Sequence, residues 1–259
     1  MLVNILNYFR IKDWTHILGV PTLGFVYNAN SNLLSMEFVS MLFVSSLGLA
    51  FAYSFDTNYD KFKSKLLPSL IVLIAGIIYA KFLSLTTFFL SVIGGLIAIA
   101  YVMPPLRLKS IPILVTMTNS IGFALFFLVG YSIASDLNMN AFLLAIFVGI
   151  IAFPIQLVHE LAHFSKDKKK GLSTTPIKFG KKFTYFLILT SLFILIIWSF
   201  FLQVYINFSI LFTVFSIIFS FLFLLILKYK TDISKSRVYI RYLSAAFGLV
   251  LLFTFVFKI

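Results

Sequence analysis

The chain has 259 residues, of which 61% are hydrophobic and 11% charged, and its mean hydropathy is +1.06. This composition excludes a soluble domain, because nearly every stretch of about 20 residues is apolar enough to cross a hydrocarbon layer of about 30 Å. The net charge of +13 comes from Lys and Arg in short loops between apolar segments, which fits membrane topology and anionic lipid and excludes a nucleic-acid partner; the lack of Cys excludes disulfides and thiolate chemistry.

Apolar segments fall near 14–30, 36–55, 66–83, 85–103, 111–134, 140–160, 183–203, 206–227 and 239–257. They predict an all-α, polytopic membrane protein of nine transmembrane helices. Arg10, Lys12, Asp13 and Trp14 lead straight into the first segment, so we expect no cleavable leader. No linker, low-complexity tract or repeat interrupts the chain, and residues 1–259 read as one domain. Of the 21 Lys and Arg, all but Lys81 and Lys258 precede the first segment or follow an even-numbered one. An odd number of crossings with a cytoplasmic N-terminus, in the plasma membrane, accounts for that bias.

Only eight residues are acidic, so their placement is informative. Asp56 and Asp60, four apart after the second segment, share one helix face, with Asn58 between them as a neutral oxygen donor. That set suits Mg²⁺ or forms a solvated helix end. After the fourth segment, Pro104 and Pro105 end the helix in the stretch from Tyr101 to Lys109 and aim Arg107 and Lys109 into the loop.

The sixth segment ends in His159, Glu160, His163 and Asp167, followed by Lys168, Lys169, Lys170 and Gly171. A helix continuing through this sequence places Glu160, His163 and Asp167 along one stripe. Two carboxylate clusters bridged by hard cations suit a diphosphate, with Lys and Arg completing the neutralisation. His159-Glu160-Leu161-Ala162-His163 also spells the H-E-x-x-H of zinc metalloproteases, in which two His bind Zn²⁺ and the Glu is a general base. After residue 163 a third ligand has only Asp167 and Asp232 to come from.

Taken together, these segments resemble the UbiA-type family of intramembrane prenyltransferases over nearly the whole chain. The Tyr101-x-x-Pro104-Pro105-x-Arg107-Leu108-Lys109 stretch carries the resemblance most specifically. Asp167 with the spacing to Gly171, Thr174, Pro176 and Gly180 looks like the family's second acidic motif. Arg10, Trp14 and the nine segments agree with it. The resemblance implies Mg²⁺-dependent transfer of a prenyl group from a polyprenyl diphosphate to a lipophilic acceptor, an aromatic or lipid precursor, within the membrane. It implies Asp56 and Asp60 as the first metal pair, Asp167 with Glu160 and His163 as the second, and Arg107, Lys109 and Lys168 as diphosphate contacts, with Asn58 and Tyr101 beside them. The sequence departs from the family pattern at Ala52 and Tyr53, where Asn-Asp is usual, in lacking the Asn-x-x-x-Arg-Pro segment, and at His163, where Asp is common. The competing readings are an intramembrane zinc protease and a non-catalytic prenyl-lipid binder or transporter.

Overall fold

The computed structural model describes residues 6–28, 33–61, 66–206, 209–230 and 232–257. All regular elements among them are helical: α1 (Ile11–Trp14), a 3₁₀ turn (Thr15–Leu18), α2 (Gly19–Asn28), α3 (Met36–Lys61), α4 (Leu67–Leu83), α5 (Leu85–Val102), a 3₁₀ turn (Leu108–Ser110), α6 (Leu114–Ala134), α7 (Met139–Lys169), α8 (Thr175–Tyr205), α9 (Ile210–Tyr229) and α10 (Ile233–Phe257). Seven of these, α3 and α5 to α10, are long and apolar enough to cross a membrane, among the described residues. Large side chains on their outer faces, including Phe193, Phe200 and Phe221, are more than half exposed. Lipid is the solvent that accepts such a surface, so the protein is a multi-pass membrane protein.

Two of the nine predicted segments are not continuous helices of that length. The helix α4 has 17 residues, and the first segment is broken into α1, the 3₁₀ turn and the ten-residue α2, whose rise of about 15 Å is half a bilayer core. Pro21 sits in the first turn of α2, where its missing N–H costs nothing, and Thr15–Leu18 provides the tighter turn that feeds it.

The chain divides into two compact units. The first comprises residues 1–107 and 125–141, the second 108–124 and 142–259, so the first half of α6 belongs to the second unit and the rest to the first. In the first unit, Phe51, Phe55 and Val102 form a core with Leu70, Leu73, Tyr101 and Met103 packed around it. Hydroxyl pairs join its helices: Ser54 to Ser69 at 2.7 Å, Tyr79 to Ser40 at 2.9 Å and Thr87 to Ser132 at 2.9 Å. In the second unit the core is aromatic, with Phe147 against Phe212 and Phe219 stacked on Phe247, and the Trp198 indole N–H donates to the Leu143 carbonyl at 3.1 Å.

The approach of α2 to the later half of α6 is set by glycine. A Cβ at Gly24 would collide with the Phe127 carbonyl, and one at Gly130 with the Pro21 carbonyl. Backbone cannot step aside as a side chain can, so Gly24→Ala and Gly130→Ala should each destabilise the protein by about 1–3 kcal/mol. Gly122→Ala, whose Cβ meets nothing within 4 Å, should leave stability unchanged or slightly raised. Thermal unfolding in detergent compares the three, and equal midpoints would refute the close packing.

Candidate active site

In the first unit, α3 carries the first acidic sequence through its last turns. Asp56 is half-buried and Asn58 is buried, with its Nδ2 donating to the Ser54 carbonyl at 2.8 Å. That bond fixes the amide orientation and makes the oxygen the end of Asn58 available to a ligand. Asp60 lies in the helix one turn on, and its side chain falls outside the described part, as do Lys63 and Lys65. Arg10 is gathered to the same helix end. Its Nη1 donates to Thr57 Oγ1 at 2.7 Å, its Nε to Asp13 at 2.7 Å, and its guanidinium lies over the Tyr53 ring. A cation here complements the negative end of the α3 dipole. Tyr53, one of the two departures before Asp56, thus serves as the platform for Arg10.

Tyr101 packs against the Phe51–Phe55–Val102 core. Beyond it the chain turns through Pro104 and Pro105 to Arg107, which is exposed and held at φ 39° while its N–H donates to the Met103 carbonyl at 2.8 Å. Lys109, in the 3₁₀ turn that opens the second unit, is instead only 5% exposed.

In the second unit, α7 runs unbroken past His159 to Lys169, as the stripe requires. Its residues then take three different roles. Glu160 is 2% exposed, and both its oxygens are engaged: Oε1 accepts from the Thr116 hydroxyl at 2.5 Å and Oε2 from the Thr175 N–H at 3.0 Å. Thr175 Oγ1 in turn accepts the Ile113 N–H at 3.0 Å. One carboxylate therefore ties the loop before α6 to the start of α8. His163 faces the guanidinium of Arg237 from α10, with 2.5 Å between Nε2 and Nη1, while its ring packs on that of His159 at 4.5 Å between centroids. Asp167 is half-buried near Lys166 and Lys170. Lys168 is exposed.

The helix ends at Lys169, two residues after Asp167, in a Schellman turn. Leu172 N–H bonds to the Asp167 carbonyl and Gly171 N–H to the Lys168 carbonyl, each at 3.1 Å, with Gly171 at φ 68°. Only glycine takes that conformation without penalty, which explains its spacing from Asp167. Gly180, at φ 83° and ψ 163°, likewise breaks α8 after its first turn.

These positions give the three residues of the stripe different surroundings. Glu160 is a buried fastening, His163 is engaged by a cation, and only Asp167 keeps the exposure expected of a ligand. Among the described residues no three His, Asp or Glu side chains gather as a metal site. The oxygen donors of the first sequence fit a hard divalent ion, whereas the second sequence fits one only at Asp167. The zinc-protease constellation is not formed: the Glu that would serve as base is occupied by Thr116 and Thr175, and Arg237 sits on one of the two His. Sequence reading missed Thr116 and Arg237. Neither carries a local signal, since one lies in an apolar run and the other among exposed cations 74 residues from its partner.

A model of the UbiA prenyltransferase family matches residues 63–247. The chain belongs to this family. Among solved structures, a UbiA homologue from Archaeoglobus fulgidus bound to GPP and Mg²⁺ is similar at 19% identity and a TM-score of 0.74, over 96% of this chain and 99% of that one. The same homologue bound to DMAPP and Mg²⁺ gives 18% identity and a TM-score of 0.73, over 96% and 98%. A structure concerned with digeranylgeranylglyceryl phosphate synthase gives 20% and 0.73, over 98% of both chains. No curated protein matches the sequence. The fold is thus UbiA-like, and the protein is a prenyltransferase by family.

If Glu160 fastens the two loops, Thr116→Val should leave one buried carboxylate oxygen without its donor and cost about 1–3 kcal/mol in detergent unfolding. The folded fraction should keep its Mg²⁺ requirement. Unchanged stability with altered Mg²⁺ affinity would instead mark Glu160 as a metal ligand.

Proposed function

We propose that the protein transfers a prenyl group from a polyprenyl diphosphate to a lipophilic acceptor, an aromatic or lipid precursor, with Mg²⁺ as cofactor, on the cytoplasmic side of the plasma membrane. The observation that carries this reading is the family membership together with the two acidic sequences that the family fold places at the ends of long helices, one at Asp56 and one at Asp167. The A. fulgidus homologue bound to GPP or DMAPP with Mg²⁺ supports the choice of donor and ion. Counting α4 and the broken first segment as two further crossings gives nine, with the N-terminus and every loop rich in Lys and Arg in the cytoplasm.

In this reading Asp56 and Asp60, with the Asn58 oxygen beside them, would hold metal at the first acidic sequence, and Asp167 would hold it at the second. When bound, Mg²⁺ would supply positive charge to the diphosphate leaving group. Arg107, Lys109 and Lys168 supply fixed positive charge to the same oxygens, Lys109 from a buried position where its field is weakly screened. The allylic C–O bond breaks with its electron pair leaving on the diphosphate. The acceptor's nucleophilic atom forms the new bond to carbon, and its proton passes to the released diphosphate or to water. Tyr101, held in the Phe51–Phe55 core, presents an aromatic wall near the loop that bears Arg107. Glu160 positions this machinery without touching it.

The test is pyrophosphate release by purified protein given prenyl diphosphates of several lengths and pooled membrane-extract acceptors. Release should require Mg²⁺, and Asp56→Ala and Asp167→Ala should each lower it by at least about 10²-fold. Binding of donor without release, unchanged by Asp56→Ala, would mean a carrier instead.

A further inference from the structure

The start of α8 carries three cations and no acid. Lys178, Lys181 and Lys182 are exposed, and residues 175–205 contain neither Asp nor Glu. Among the described residues none of the three Lys makes an ion pair. Lys181 Nζ lies 5.2 Å from the centre of the Phe164 ring on α7, which holds its ammonium in place. A Cβ added at Gly180 would meet nothing within 4 Å, so the backbone between Lys178 and Lys181 is open to a ligand.

The depth of these cations in a membrane follows from the helix itself. Gly180 breaks α8, and the helix that continues from Lys181 to Tyr205 rises about 36 Å, more than a hydrocarbon core of about 30 Å. Aromatic side chains mark both of its ends. At one, Phe201 lies 5.2 Å from Trp198 and is stacked on Tyr205 at 5.3 Å between centroids. At the other, Phe179, Phe183 and Phe186 form a ridge with successive centroids 5.2 and 6.3 Å apart. Such belts lie at the two membrane–water boundaries, which puts Lys178, Lys181 and Lys182 at the level of lipid headgroups.

The ridge continues downward. Phe186, Phe193 and Phe200, seven residues apart and so on one face of the helix, are 59%, 63% and 59% exposed. The cations are therefore continuous with the outer, lipid-facing surface. One molecule with an anionic head and an apolar chain fits both parts, whereas a soluble acidic protein would cover the Lys side chains and leave the rings below them bare.

We infer that the start of α8 binds an anionic phospholipid, its phosphate held by Lys178, Lys181 and Lys182 and its acyl chain lying along Phe183 and Phe186. This stands apart from the prenyl-transfer reading. The bound lipid also steadies the turn that Glu160 fastens, because Thr175, three residues before Lys178, donates its N–H to that carboxylate.

The experiment is native mass spectrometry of the full-length protein in detergent with phosphatidylglycerol or phosphatidylcholine of the same acyl chains, with an unfolding midpoint recorded for every sample. At its tightest site wild type should bind phosphatidylglycerol about tenfold or more tightly than phosphatidylcholine, and the anionic lipid should raise the midpoint. Lys178→Gln and Lys182→Gln should each weaken phosphatidylglycerol about fivefold and leave phosphatidylcholine unchanged. Phe183→Ala with Phe186→Ala should weaken both lipids. Lys228→Gln with Lys235→Gln, two exposed cations elsewhere, should change the affinity by less than about twofold. Equal affinity for the two lipids overturns the inference, as does a loss in the Lys228 and Lys235 variant as large as in Lys178→Gln. Competition by glycerophosphoglycerol as strong as by the intact lipid would mean a site for free phosphate esters and overturn the lipid assignment. Displacement of the lipid by a polyglutamate peptide, unaffected by the two Phe substitutions, would mean a protein-binding surface and overturn it as well.

Discussion

A carboxylate drawn out of water inside a membrane protein must have its oxygens satisfied by the protein itself, and Glu160 meets that condition with two donors from two distant stretches of chain. Thr116 stands near the start of α6 and Thr175 at the start of α8. Because Thr175 also receives the Ile113 N–H, the loop leading into α6 and the loop after α7 are fixed to one point on α7. The rest of the second unit's polar end depends on this. With Glu160 turned inward, the neighbouring turn leaves His163 toward α10 and Asp167 at the helix end.

Glycine and glycine-like geometry distribute the remaining constraints. Gly24 and Gly130 let backbones meet in the first unit, while Gly171 stops α7 one residue after its run of Lys. Asp167 is thereby held in the last turn of a rigid helix, near enough to its end to meet a polar ligand. At the other acidic sequence, Arg10 binds Thr57 and Asp13 and covers Tyr53, so the N-terminal segment closes over the end of α3 and supplies a cation to it. Arg10 is thus brought to the end of α3 from the turn just before α1, 47 residues from Thr57. A diphosphate site in a membrane needs such charge, because lipid offers the leaving group none.

The membrane class and most helices were legible because hydropathy is a property of long runs. The boundary at Ser84, which caps α5 by accepting from the Thr87 N–H, fell between two predicted segments as expected. The break in the first segment was not legible because its apolar content is continuous while its backbone is not, and hydropathy does not register a 3₁₀ turn. At the site, the helix period puts Glu160, His163 and Asp167 along one stripe of α7, yet could not tell which part of it α6, α8 and α10 would cover. Arg237 was legible as a cation beside an apolar segment and not as a partner of His163, since nothing local records a contact across 74 residues.

The most direct test of the account is a structure of the protein with Mn²⁺ in place of Mg²⁺ and an unreactive prenyl thiodiphosphate, the metal being located by its anomalous scattering. The account predicts Mn²⁺ at the carboxylates of Asp56 and Asp60 and at that of Asp167, with Glu160 still bonded to Thr116 and Thr175. Metal on His159 and His163, or Glu160 swung out to bind it, would contradict the account.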